Sequence, residues 1–416
     1  MPERWVWLVV LAVAMLGLAL GTLFAPPRPA VELLHSPKPR NVTPEVSVAE
    51  RRQLAAGNTS FALALYRRLR QSEGNLVLSP YSISLAMAMV YAGATGETAR
   101  EMATTLRFPL PQSRLHPAFN ALDLDLGRRA ESAGLELKIA NAIWGQRGYA
   151  FKQAYLDLLA LNYGAGLRGL DFQRDPEGSR KIINAWVSEE TKGKIEELFP
   201  PDSVRPNTTL VLANAVYFRG TWEEKFSPAG RGIFHLLDGA KIEVQMMRRT
   251  GRTGYMAGDG YRAVEIRYKG GAFSMVVVLP DSGRFGEFEA KFGPELLEEV
   301  VAKLRETEVD LTMPTFSFSY GFDLRESLTE LGMVRAFSGG ADFSGIAEGG
   351  LFISAAVHKA FIRVDEEGTE AAAATGVVVG RALVTEVTVD RPFVFFIRDR
   401  ETGTILFLGR VTDPSP

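Results

Sequence analysis

The chain contains no cysteine in 416 residues. That absence removes thiol catalysis, cysteine-ligated zinc, disulfides and thiolate cofactors together, and any stability outside a cell must come from packing. Histidine is almost as scarce: His35, His116, His235 and His358 are scattered without metal-ligand spacing. Neither sign of charge is in excess. Forty-seven Lys and Arg against 49 Asp and Glu leave a formal net charge of −2, so there is no global electrostatic case for nucleic acid. No serine stands in G-x-S-x-G, and Thr191-Lys192-Gly193-Lys194 lacks the upstream glycine of a phosphate loop. Gly258-Asp259-Gly260 reads as a hairpin turn. The chain therefore shows no enzymatic site and calls for no cofactor or metal. What is present, 46% hydrophobic and 23% charged residues, is an ordinary globular composition with material for a large core.

The N-terminal part differs in kind. Trp5–Ala25 is an uncharged apolar run between Arg4 and Pro26-Pro27-Arg28. It reads as a targeting segment, with export common to both of its readings: a cleaved signal peptide (residues 1–25) or a retained membrane anchor. Residues 26–47, with several prolines and no apolar period, read as a linker. Helical periodicity begins near Val48, where Leu54, Phe61, Leu65 and Leu69 line one face. Gly74 closes that helix, Asn75–Leu78 is a short strand, and Ser79-Pro80 opens a second helix that runs to Ala92, apolar nearly all round. Ile182–Leu198 reads as helical, Leu210–Phe218 and Phe273–Leu279 as strands, and Glu308–Phe318 alternates like a strand. Phe393–Ile397 and Ile405–Leu408 form a buried hairpin. No repeat or second linker appears, so residues 48–416 are taken as one α+β domain.

One segment fits no single element. Val364–Arg391 begins charged, turns almost wholly small, and ends in one basic residue among aliphatics. Ala371–Ala374 favours helix, Val377–Val379 favours strand, and Gly368, Gly376 and Gly380 loosen both. The run Glu366-Glu367-Gly368-Thr369-Glu370-Ala371-Ala372-Ala373-Ala374-Thr375 resembles the reactive-centre hinge of inhibitory serpins. Four further segments carry the same resemblance in the family's order: Asn75–Ala94, Ile183–Phe199, Leu210–Phe226 and Asp390–Pro414, while Val357–Thr375 contains the hinge.

The resemblance implies a single serpin-fold domain with a large central mixed sheet, further sheets, eight or nine helices and an exposed reactive-centre loop over about 366–391. It implies a monomeric suicide inhibitor of serine proteases, held to its target as a covalent acyl-enzyme, and not an enzyme itself. Independently of the family, a segment that threads into a sheet needs small side chains at its inward positions. With period two, Thr369, Ala371, Ala373 and Thr375 face one way and are all small, while Glu370, Ala372 and Ala374 face the other.

Two bonds fit the bait. Counting from Glu366 at the family's usual spacing ends at Ala382, giving Ala382–Leu383. Counting back from Pro392 ends at Arg381, giving Arg381–Ala382, the preferred reading, because a lone arginine among aliphatics suits a trypsin-like pocket. Cleavage at Val379, Ala382 or Leu383 would suit an elastase- or subtilisin-like target. A non-inhibitory, binding or chaperone-like serpin is the alternative function. The resemblance also implies a hydrogen-bonded cluster of Ser79, Ser82, Asn184 and His358 where strands separate, and a gate residue at Trp222. Thr315 stands where some relatives place a lysine opposite the residue matching Glu366. Arg67-Arg68-Leu69-Arg70 is the nearest basic cluster and reads as a solvated helix face. Three glycosylation patterns begin at Asn41, Asn58 and Asn207.

Overall fold

The computed structural model describes residues 31–368 and 384–415, so Trp5–Ala25 and Thr369–Leu383 lie outside the described residues. The strands are β1 (Glu32–Leu34), β2 (Leu76–Leu78), β3 (Glu136–Gln146), β4 (Leu167–Leu170), β5 (Leu210–Arg219), β6 (Ser227–His235), β7 (Lys241–Gly258), β8 (Tyr261–Arg267), β9 (Phe273–Pro280), β10 (Arg305–Pro314), β11 (Phe316–Asp323), β12 (Ile353–Val364), β13 (Thr385–Thr388), β14 (Phe393–Asp399) and β15 (Ile405–Val411). Among the described residues there are nine α-helices: α1 (Val48–Leu69), α2 (Pro80–Tyr91), α3 (Gly96–Thr105), α4 (Gln112–Ala133), α5 (Gln153–Tyr163), α6 (Pro176–Glu190), α7 (Phe285–Lys291), α8 (Pro294–Lys303) and α9 (Leu324–Glu330). None of these helices is long and apolar enough to cross a membrane.

The main sheet runs β1-β4-β3-β5-β12-β11, and the second, nine-stranded sheet runs β13-β10-β7-β8-β9-β14-β15-β2 with β6 paired to β7. The main sheet divides two cores. Its front face sets Ala140, Ala142, Trp144, Val211, Ala213 and Ala215 against Ile183 and Val187 of α6. Its back face puts Ile143, Leu212 and Val216 into the larger core, which includes α2 and the second sheet.

Local chemistry accounts for the elements that position the site. Ser47 and Glu50 close a capping box at the start of α1. Ser79 caps α2 by accepting the Ser82 N–H, Pro80 takes the first helical position, and every residue of α2 is buried. The two apolar runs near the C-terminus form the β14–β15 hairpin, antiparallel from Phe393↔Val411.

Three expectations are corrected. The helix read over Ile182–Leu198 is α6, which starts at Pro176 on an Asp175 cap and stops at Glu190, because Lys192 and Gly193 adopt positive φ (54° and 74°) and turn the chain back. The alternating stretch Glu308–Phe318 is two strands, β10 and β11, parted at Pro314-Thr315. Residues 31–47 are not a free linker. Glu32–Leu34 adds β1 to the edge of the main sheet, and the following residues are bonded to the body. Ser36 Oγ donates to Asp157 at 2.6 Å, Lys38 pairs with Asp157 at 2.7 Å, Arg40 reaches Asn120 and Asp123, and Asn41 N donates to Leu161 O. The prolines obscured this, because the signal they give for extended backbone is the same for a spacer and for a strap laid on a surface.

Candidate functional site

The central feature is the seam between β5 and β12. These neighbours run parallel from Ile353↔Leu210 to Phe361↔Tyr217, with one register shift between Ile353 and Ala355, and β12 leads toward the segment read from the sequence as the bait. Three groups of contacts hold the seam: a polar cluster at mid-height, a latch at the bait end, and a cover on the front.

The polar cluster lies in one row across the sheet. Register sets Asn141 of β3 beside Asn214 of β5, and Asn214 beside His358 of β12. His358 Nδ1–H donates to Asn214 Oδ1, and His358 Nε2 accepts the backbone N–H of Ser79 at 3.1 Å. Asn214 Nδ2 donates to Ser82 Oγ at 2.7 Å, to Ser82 O at 3.0 Å and to Asn141 Oδ1. Asn141 Nδ2 donates to Ser82 O at 3.2 Å. The N-terminus of α2 thus straddles the seam, with Ser79 bonded to the β12 side and Ser82 to the β5 and β3 side. His358 is wholly buried, and burial pushes its pKa down to about 3. The ring is therefore neutral, as its role as acceptor from Ser79 requires.

Ser79, Ser82 and His358 come together, whereas Asn184 does not join them. Asn184 sits on α6, on the other face of the sheet. There its Nδ2 donates to Phe199 O at 2.9 Å, and its Oδ1 accepts the Leu198 and Phe199 N–H groups. A sheet one residue thick separates it from α2. Asn214 and Asn141 fill the expected place. The signal for them was present in the sequence: an asparagine flanked by alanines inside an apolar strand occurs twice, in Ala140-Asn141-Ala142 and Ala213-Asn214-Ala215.

At the bait end Trp222 is buried and stacked on Tyr268, with ring centroids 4.5 Å apart. Its Nε1 donates to Asp365 O at 3.0 Å and its backbone N–H to Glu367 O at 2.9 Å, while Phe226 N donates to Glu366 O at 2.8 Å. These bonds fasten a tight turn in which Asp365 and Gly368 exchange backbone hydrogen bonds. Gly368 has φ +129°, and a Cβ there would meet Gly220 O at 2.1 Å, so only glycine fits. Glu367 is 7% exposed, with Lys225 Nζ 3.5 Å from its carboxylate. Thr315 instead bonds Gln245 O through its N–H at 3.0 Å. The acid–base pair at this end is thus Glu367 with Lys225, a residue sequence reasoning missed. Arg249 braces the loop from behind, stacking on Phe226 and pairing with Glu224 at 3.3 Å.

On the front, Arg180 and Asn184 pin the turn after α6, and Lys359 Nζ of β12 donates to Glu197 O of that turn at 3.0 Å. The remaining hinge residues, Thr369, Glu370, Ala371, Ala372, Ala373, Ala374 and Thr375, and the bait residues Arg381, Ala382 and Leu383 lie outside the described residues. Of the three glycosylation patterns, the one at Asn58 is closed, because Asn58 is buried in α1 and donates to Ile405 O.

Residues 56–414 match the family model described as Serpin (serine protease inhibitor). Leukocyte elastase inhibitor from Bos taurus is 39% identical over 87% of this chain and 100% of its own length. Human thyroxine-binding globulin complexed with thyroxine superposes with a TM-score of 0.80 at 31% identity, covering 88% of this chain and 100% of that one. Uncleaved ovalbumin superposes with a TM-score of 0.79 at 27% identity, covering 87% and 100%.

Proposed function

Because the chain belongs to the serpin family, we propose that it inhibits serine proteases by sacrificing its bait loop. The observation that carries this reading is the β5–β12 seam: two parallel neighbours whose downstream continuation is a run of small residues. A segment turning back from β12 at Gly368 would enter between them antiparallel to both, exchanging one parallel pairing for two antiparallel ones, which are slightly more stable per residue. Serpin loop insertion is itself a standard example of strand addition and strain release.

In the covalent step the protease serine oxygen adds to the Arg381 carbonyl and the Arg381–Ala382 bond breaks. The hydroxyl proton ends on the new amino group of Ala382, leaving an ester to the protease. Insertion before water cleaves that ester traps the complex. Within this reading Arg381 directs the loop to trypsin-like enzymes, the latch from Asp365 to Gly368 releases, and the cluster of His358, Asn214 and Ser82 parts and re-forms. The protein acts outside the cytoplasm as a monomer.

The likeness to thyroxine-binding globulin and ovalbumin supports a second reading, a non-inhibitory serpin acting as a binding or chaperone-like protein. One experiment separates them: mix the body with trypsin, elastase and subtilisin. An inhibitor yields an SDS-resistant species of the summed mass, whereas a binding protein is merely nicked. Sequencing the released peptide tests the bait, which should begin at Ala382. A start at Leu383 would move the target class toward elastase-like enzymes. Thr369→Arg should convert inhibitor into substrate, and undiminished complex formation would overturn the insertion mechanism.

A further inference from the structure

The front of the main sheet is covered unevenly. Over β3 and β5 lies α6, packed through Ile183 and Val187, whereas the outer strands β12 and β11 meet the stretch 197–208 instead. His358 turns to α2 behind the sheet, so its neighbours Val357 and Lys359 face the front. Pairing sets Lys359 beside Gly321 of β11 and Val357 beside Asp323. The front positions Ala355, Ser319 and Gly321 are small, and they leave a trough of about 750 Å³ between the two strands and residues 197–208. The Lys359 stem lies across the bare face of Gly321, where a Cβ would meet its Cγ at 3.2 Å.

The far wall is tied to the floor. Thr209 N donates to Ser354 Oγ at 2.9 Å, Thr209 Oγ1 donates to Phe352 O at 2.6 Å, and Arg205 N donates to Thr208 Oγ1 at 2.9 Å. A wall already held in place loses little freedom when a molecule settles against it.

Three cations line the trough: Lys359, Arg205 and Arg325. Lys359 Nζ donates to Glu197 O at 3.0 Å and Arg205 Nε to Asp202 O at 3.2 Å, both backbone carbonyls, and among the described residues none of the three forms an ion pair. Three acids line it too, but two are engaged. Glu197 pairs with Arg180 at 3.0 Å, and Asp323 Oδ1 accepts the Arg325 N–H at 2.7 Å. Only Asp202 is left to oppose the three cations.

We infer that this trough binds a small organic anion bearing two or more carboxylate or phosphate groups. Lys359, Arg205 and Arg325 keep N–H donors to spare, and charge-assisted bonds to such groups are the strong kind. Leu198, Pro200 and Val357 offer apolar contact to the body of the ligand, and the volume falls within the usual range for small-molecule sites. The site lies toward the start of β12, away from the latch at Asp365–Gly368, and does not depend on the inhibitory reading.

Equilibrium dialysis of the full chain at low salt tests it, with fructose bisphosphate as the phosphate probe and tricarballylate as the carboxylate probe. At least one should bind, and more weakly as salt rises; the tighter of the two names the acid group. No binding of either at about 10 mM overturns the site. Arg205 and Arg325 are exposed, so the pair Arg205→Gln and Arg325→Gln should leave the fold intact and weaken binding at least about tenfold. Asp202→Asn should tighten binding about threefold by removing the one unengaged acid. Asparagine tolerates the positive φ of 63° at that position. Arg100→Gln, an exposed arginine of α3 outside the trough, should leave binding unchanged. If it weakened binding as much as the double variant, or if Asp202→Asn gave no gain, the attraction would be that of the whole surface and the assignment would fall.

Discussion

The seam between β5 and β12 and the hairpin of β14 and β15 are both buried strand pairs, yet they are written in different chemistry. The hairpin sets Phe393, Phe395, Phe396 and Ile397 against Ile405, Phe407, Leu408 and Val411, all antiparallel and all at most 1% exposed. The seam is parallel, carries Ala213, Ala215, Ala356 and Ala360, and places Asn214 beside His358 at its centre. Burying one large apolar side chain stabilises by about 1.5–3 kcal/mol, whereas a hydrogen bond contributes about 1 kcal/mol net. The hairpin is thus held by packing that has no alternative partner. The seam is held by directional bonds that can be remade. On the proposed reading the molecule parts along the seam and keeps its strength elsewhere.

The largest expected effect breaks the strong side of this contrast. Phe396→Ala should lower unfolding stability by about 3–5 kcal/mol, read from the denaturant midpoint, without promoting conversion to a heat-stable inserted form. Next, Asn214→Ala leaves buried groups of Ser82, Asn141 and His358 short of partners, for a loss of about 1–3 kcal/mol, and should also hasten that conversion on warming. If Phe396→Ala hastened conversion as much as Asn214→Ala, the contrast between the two pairs would collapse. Gly368→Ala should cost about 1–3 kcal/mol through strain at its positive φ and the approach to Gly220 O. Its specific readout is increased nicking of the turn by a probe protease.

The last expected effect is a pH slope. Burial holds His358 neutral with a pKa near 3, and His116 near 4, against 6.5 in the unfolded chain. Between these values the unfolded state binds more protons, so stability falls as pH is lowered from about 6.5. His358→Gln should flatten the melting temperature profile between pH 6.5 and 4 relative to the parent, leaving the share of His116. An unchanged slope would mean that His358 does not report on the seam.

Much of this was legible in the sequence where local chemistry and pattern agree. Ser79-Pro80 marked the start of α2, and the apolar runs after Arg391 marked the hairpin. Reading failed where a residue's role depends on which face of the sheet it reaches. Asn184 and Asn214 are equally polar residues in apolar surroundings, and only the placement of α6 in front and α2 behind tells them apart. The strap at 31–47 was missed for a related reason. Its bonds go to α4 and α5, more than a hundred residues away for Ser36 and Asp157, and nothing local announces them.

The bond from Lys359 to Glu197 ties β12 to the front cover. Lys359 belongs to β12, and Glu197 to the turn tied down by Asn184 of α6, which packs over β5 through Ile183 and Val187, so the front cover meets both banks of the seam. If the loop inserts as proposed, a strand entering the seam has to break this crosspiece first. Under that proposal, the last step of trapping a protease would wait on a lysine in the body of the sheet.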